Sequence, residues 1–122
     1  MITAIDQIAT TDPDRVVYDD LGHTNTYGDL KRYSDALAAR LDALKLPREA
    51  PILVYGGQTF TMIATFVGIT KSGHAYVPID THSPLERITT INEIAQPAAA
   101  IAVAPLPTDL PNTIVKIGRA HV

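Results

Sequence analysis

Between residues 51 and 104 the chain twice alternates a short apolar run with a longer segment of helical spacing, and this alternation constrains the fold more than any other feature. PILVYG at 51–56 is continuously apolar, which fits a strand of a parallel sheet, buried on both faces, and not a strand with one wet face. From Thr59 to Thr70, the residues Phe60, Met62, Ile63, Ala64, Phe66, Val67 and Ile69 surround a helix almost completely, and Gly73 follows where a left-handed cap is wanted. Ala75 to Ile79 is a second strand. Pro78 near its end removes one ladder donor, so this strand ends there or lies at a sheet edge. Ser83 then supplies a helix N-cap, with Pro84 at the first helical position and Glu86 at the third, and Leu85, Ile88, Ile91 and Ile94 form an inner stripe. Ala98 to Ala104 is a third strand, after which Pro105, Pro107 and Pro111 break the pattern. Strand, helix, strand, helix, strand in this order implies right-handed crossovers and a parallel α/β sheet.

The first fifty residues prepare this unit. Ile2, Ile5, Ile8 and Ala9 recur at helical spacing until Asp12-Pro13 stops them. Arg15 to Asp19 and Thr24 to Thr26 flank a turn with Gly22 available for positive φ, so they read as a β-hairpin. Thr26 and Asp29 then have the spacing of a capping box. Leu30, Tyr33, Leu37, Leu41 and Leu44 continue the helix at intervals of three and four, with Lys31, Arg32, Asp35, Arg40 and Asp42 on the other face, until Pro47.

At 122 residues the chain has the length of one domain with a core of its own, and 46% hydrophobic with 19% charged is a soluble globular balance. The absence of Cys removes disulfides, thiolate metal sites and a cysteine nucleophile. A net charge of −3, without charged blocks, argues against nucleic acid as a partner. No apolar run approaches the ~20 residues of a membrane helix and no signal-type start is present, so the expected compartment is cytoplasmic, without membrane insertion. The last seven residues stand apart. Lys116 to Val122 (KIGRAHV) is the translation of AAG ATC GGA AGA GCA CAC GTC, which from its second base onward matches a common short-read sequencing adapter. The expectation is therefore a natural stretch 1–115, truncated, and a non-native tail 116–122 that packs on nothing; without Lys116 and Arg119 the net charge moves from −3 to −5.

No local pattern supplies a catalytic constellation. Gly68 and Gly73 have the interval of a phosphate loop, but His74-Ala75 stands where Lys-Ser/Thr is required, and the segment closes a helix instead of opening one. Gly56-Gly57 does lie between a strand and a helix start, the right topology for an anion, but two glycines alone are weak evidence and a tight turn is the better reading. Asp80, His82 and Ser83 have the residue types of a hydrolytic triad, yet loop neighbours cannot line up nucleophile, base and orienter. His74, Asp80 and His82 lack a metal-ligand spacing.

Two segments resemble a known superfamily. Thr26-Tyr27-Gly28-Asp29-Leu30 resembles the first core motif of the adenylate-forming enzymes (Leu-Thr-Tyr-x-Glu-Leu). TKSGHAYVPID, from Thr70 to Asp80, resembles the second (Leu-Lys-Ala-Gly-x-Ala-Tyr-Val-Pro-Ile-Asp). Asn25, Asp29, Thr70 and Ser72 are mild departures. PILVYG, Met62-Ile63, Phe66 to Gly68, His74 and Pro84 to Ile88 are more similar to the D-alanine:D-alanyl-carrier-protein ligases than to peptide-synthetase domains, which usually carry Gly or Ala where His74 stands.

The resemblance implies that residues 1–115 belong to the large N-terminal domain of such an enzyme. It implies activation of D-alanine with ATP and Mg²⁺ to an aminoacyl adenylate, release of pyrophosphate, and transfer to the phosphopantetheine thiol of a D-alanyl carrier protein for lipoteichoic acid alanylation in cell-wall synthesis. The family's phosphate-holding Gly/Ser/Thr/Lys-rich loop and C-terminal Lys have no counterpart here. The resemblance therefore implies no catalytic, cofactor-binding or metal residue in this chain, and an inactive fragment that binds no cofactor by itself. Its two motifs act as scaffold: the first caps a helix, the second turns a strand toward the site. The helix 59–70 would expose an apolar outer face. Competing readings are a piece of a peptide-synthetase adenylation domain or acyl-CoA synthetase, and a free-standing flavodoxin-like binding module with Gly56-Gly57 as its anion site.

Overall fold

The computed structural model describes residues 2–108, 110 and 112–116. Helix α1 (Ile2–Thr11) precedes a hairpin of β1 (Val16–Asp20) and β2 (His23–Thr26), whose turn residues Leu21 and Gly22 both have positive φ, as a two-residue hairpin turn demands. Helix α2 (Tyr27–Ala43) begins in the expected capping box: the Asp29 amide donates to Thr26 Oγ1 (3.1 Å) and the Thr26 amide to Asp29 Oδ2 (3.0 Å). Then come β3 (Ile52–Gly56), α3 (Phe60–Lys71), β4 (Tyr76–Asp80), α4 (Leu85–Ala95), β5 (Ala99–Ala102) and β6 (Thr113–Lys116).

The four later strands form a parallel sheet in the order β4-β3-β5-β6. Every residue of β3 and β5 is buried, which their unbroken apolar runs anticipate. Successive side chains alternate between two cores. Ile52, Val54 and Ile101 meet Leu37 and Leu41 of α2 and Met62 and Ile69 of α3, whereas Leu53, Tyr55, Ile79 and Ala100 meet Ile88 of α4 and Leu110. Each fully buried Leu or Ile contributes about 1.5–3 kcal/mol, so these two faces carry the stability of the layered arrangement.

Strand β4 is an edge, as Pro78 suggested. The Ala75 carbonyl accepts from Ile52 N–H (2.8 Å), so alternation points the backbone of Val77 and Ile79 at β3 and that of Tyr76, Pro78 and Asp80 outward. The missing N–H of Pro78 therefore lies on the free edge and costs no ladder bond.

Four expectations need correction. Ser83 makes no side-chain cap; the N-cap of α4 is the extended Pro84, whose carbonyl accepts from Arg87 and Ile88 N–H (3.0 and 3.2 Å). The reason is the preceding loop: the Ser83 amide already donates to the Asp80 carbonyl (3.0 Å), which places Ser83 before the helix. The stripe 85, 88, 91, 94 does not face inward as a unit. At 100° per residue, strict steps of three carry Leu85 and Ile94 to opposite sides of the helix, so Ile88 is buried while Leu85 and Ile94 are 47% and 79% exposed. The outer face of α3 is exposed only in part: Ile63 is 39% exposed, while α2 and the hairpin cover the side of Phe60, Ala64 and Val67, where Gly68 lets the helices approach, a Cβ there sitting 3.0 Å from Leu37 Cβ and from the Ser34 carbonyl. The third strand is shorter than 98–104, since the amides of Val103 and Ala104 both turn to the Tyr55 carbonyl (2.8 and 3.2 Å).

Strand β6 falls after the prolines, where no strand was expected. Its Lys116 pairs with Ala102, so the ladder enters the stretch read as adapter-derived by one residue, and residues 117–122 lie outside the described residues.

Candidate functional site: the cleft at the carboxyl ends of β3 and β4

The chain leaves β3 toward α3 on one face of the sheet and leaves β4 toward α4 on the other, so the two loops diverge at adjacent strand ends. Such a switch point leaves a crevice, the usual place for a ligand in an open α/β sheet. Here it is a cleft of ≈ 440 Å³ between Gly56 to Thr59, the α3 residues Met62, Ile63 and Phe66, the end of β4 from Pro78 to Asp80, and Tyr18 of the hairpin. Tyr18 Oη donates to the Gln58 carbonyl (3.1 Å), which ties the hairpin to the β3–α3 loop and closes one wall.

The lining is mostly apolar. Asp80 brings the one carboxylate, and its Oδ1 is already engaged by the His82 amide (2.9 Å) and His82 Nδ1 (3.0 Å). The His82 amide, then the ring, hold the Asp80 carboxyl below the ordinary aspartate range. At the start of α3 the Thr59 hydroxyl accepts the Met62 amide (3.2 Å), which satisfies one of the donors an anion would need. Gly56-Gly57 behaves as a turn with close packing: neither glycine has positive φ, and a Cβ on Gly56 would lie 2.8 Å from Met62 Sδ.

The other candidates are structural. Gly68 packs two helices and Gly73, at φ 84°, ends α3, so the pair is no phosphate cradle. His74 Nδ1–H donates to the Ala50 carbonyl (2.9 Å) at the opposite end of the sheet from Asp80 and His82. Asp80 and His82 pair on the surface, without Ser83. Among the described residues there is no group of three or more His, Asp or Glu placed to hold a metal ion.

One cluster escaped the pattern. Lys71 Nζ, with its side chain 9% exposed, donates to Asp6 Oδ1 (2.9 Å), Ser34 Oγ (2.9 Å) and Asp35 Oδ1 (2.7 Å), joining α1, α2 and α3. Three N–H donors meet three acceptors, so the buried ammonium is satisfied. Asp35 also accepts from Lys31 (2.6 Å), and these two bonds, Lys31's first, hold its carboxyl below the ordinary range. Asp35 is therefore not merely part of a solvated face. The signal available in the sequence was the single cation at the end of an otherwise apolar helix.

A family model described as AMP-binding enzyme matches residues 5–120, nearly the whole chain. The chain belongs to the AMP-binding enzyme family. Within this family it is 65% identical, over 115 residues, to the D-alanine--D-alanyl carrier protein ligase of Lactiplantibacillus plantarum, covering 94% of this chain and 23% of that protein. It is 55% identical over 120 residues to the ligase of the same name from Lacticaseibacillus rhamnosus, with 98% and 23% covered. The chain thus spans about a quarter of the length of these curated relatives. Among solved structures, a nonribosomal peptide synthetase superposes with a TM-score of 0.85 at 24% identity, over 97% of this chain and 13% of that one. This likeness establishes the shared fold: the α/β unit is that of an AMP-binding enzyme's N-terminal domain. Among the described residues no helix is long and apolar enough to cross a membrane.

Proposed function

We propose that this chain is the N-terminal part of a ligase that activates D-alanine with ATP and passes the D-alanyl group to the thiol of a carrier protein. The observation that carries this reading is the 65% identity over 115 residues to a D-alanine--D-alanyl carrier protein ligase, maintained at 51% in the Streptococcus pneumoniae protein of that name. In this reading residues 1–115 are scaffold, 116–122 are non-native, and no residue here is catalytic. The two motifs act indirectly: Thr26 and Asp29 start α2 against the core, and Tyr76 to Asp80 carry the chain to the cleft. The reaction is carboxylate attack on the α-phosphorus of ATP with pyrophosphate leaving. Its charge stabilisation must come from groups aimed at the phosphates, which the mostly apolar cleft does not provide. Mg²⁺, cytoplasmic location and delivery to lipoteichoic acid belong to the same proposal.

Sequencing the coding DNA past codon 115 tests it. The expected result is an open frame continuing into a Gly/Ser/Thr/Lys-rich loop and a distal Lys, whose complete product exchanges pyrophosphate into ATP with D-alanine. A frame that stops, or a product that activates another acid in preference, overturns it.

A further inference from the structure

Helix α1 depends on what it docks against. It is 10 residues long, a length at which an isolated helix is marginal in water, and it has no acidic residue in its first turn and no basic residue in its last to offset its dipole. Of its side chains only Ala9 is buried outright, while Ile5 is half-buried against the cluster of Leu30, Phe60, Ala64 and Val67 between α2 and α3. Its tie to α3 is electrostatic: Asp6 Oδ1 accepts from Lys71 Nζ (2.9 Å).

The Lys71 cluster is arranged so that this tie can open without the others. Ser34 and Asp35 of α2 take the remaining two ammonium protons (2.9 and 2.7 Å), and Lys31 donates to the same Asp35 carboxylate (2.6 Å), so α2 and α3 stay joined without Asp6. The Asp6 side chain is 36% exposed, so its carboxylate and the third ammonium proton both meet water when α1 lifts. The chain just after α1 is fixed instead to the start of α2, where the Pro13 carbonyl accepts from Gly28 N–H and the Arg15 carbonyl from Tyr27 N–H (both 2.9 Å). A Cβ on Gly28 would lie 3.1 Å from that Pro13 carbonyl, so the loop is seated on the glycine. Movement of α1 therefore stops at Asp12 and leaves the hairpin in place.

We propose that α1 is a strap closed by the Asp6–Lys71 ion pair. It swings about Asp12 as a unit while the sheet, α2 and α3 stay folded, and it uncovers the side of the Leu30, Phe60 and Val67 cluster on which Ile5 packs. Sub-global opening of this kind belongs to elements with few buried apolar groups. Because the pair is partly in water, dissolved salt shifts the open fraction.

The test is amide hydrogen exchange on the 122-residue chain, read at residues 6–11 of α1 and at β3 and β5. In the wild type the α1 amides are expected to be less protected than those of β3 and β5 by about tenfold or more. Asp6→Asn keeps an acceptor and removes the charge, so it is expected to speed α1 exchange about fivefold and leave β3 and β5 unchanged. Raising NaCl from about 0.05 M to about 0.5 M is expected to speed α1 about twofold in the wild type and not in Asp6→Asn, a readout that needs no variant to fold. Exchange of α1 and β3 rising together in Asp6→Asn would make α1 part of the global unit and overturn the strap. An α1 rate indifferent to both the substitution and salt would mean that Ile5 and Ala9 hold the helix, and would overturn the ion pair as its closure.

Discussion

Lys71 is the side chain whose role sequence patterning understates most. Its ammonium is held by two helices other than its own, while both carboxylate partners keep water contact, Asp6 at 36% and Asp35 at 45% exposed. Lys71→Met keeps the stem but loses three charge-assisted bonds, and the exposed carboxylates rehydrate, so the expected cost is about 1–3 kcal/mol in a urea titration. Asp35 contributes to the pH dependence. Because its folded pKa lies below the ordinary value, its contribution is full above the carboxylate range and is lost as the pH falls through the folded pKa. The stability difference between wild type and Asp35→Asn is therefore expected to shrink on acidification from about pH 6 to about pH 3, in parallel unfolding curves. His74 bonds a carbonyl remote from the cleft, so His74→Ala in a complete enzyme is expected to reduce amino-acid activation less than about tenfold, under ~1.4 kcal/mol.

Among the elements, α2 and α4 make an instructive pair. Both are preceded by a hydroxyl residue with an acidic residue three positions further on, Thr26 with Asp29 and Ser83 with Glu86. Only Thr26 forms the box; Ser83 is held in the turn that leaves β4. Thr26→Ala is expected to cost about 0.5–2 kcal/mol, and Ser83→Ala to stay within about 0.5 kcal/mol, measured in the same denaturation series. A cost for Ser83→Ala equal to that of Thr26→Ala would mean that α4 starts one residue earlier. The failure of the i, i+3 stripe has a different origin: spacing of three alone drifts around a helix, and only Ile88 is fully buried.

For the molecule as a whole, purified chain with ATP, Mg²⁺ and carrier protein is expected to give no D-alanine-dependent pyrophosphate exchange, because positioning and charge stabilisation act together and the cleft supplies neither. The strands, helices and hairpin were legible because each is set by local rules: an unbroken apolar run, a capping box, a glycine or small turn where φ is positive. The edge position of β4 was legible too, since Pro78 leaves few alternatives. Strand order, the fourth strand β6, the outward flanks of α4 and the meeting of Asp6, Ser34, Asp35 and Lys71 were decided only by tertiary structure. Their partners lie on other elements, up to 65 residues away along the chain, as with Ala100 and Thr113 or Lys71 and Asp6. A pattern read along one segment carries local periodicity, and no such period records which distant surface that segment will meet.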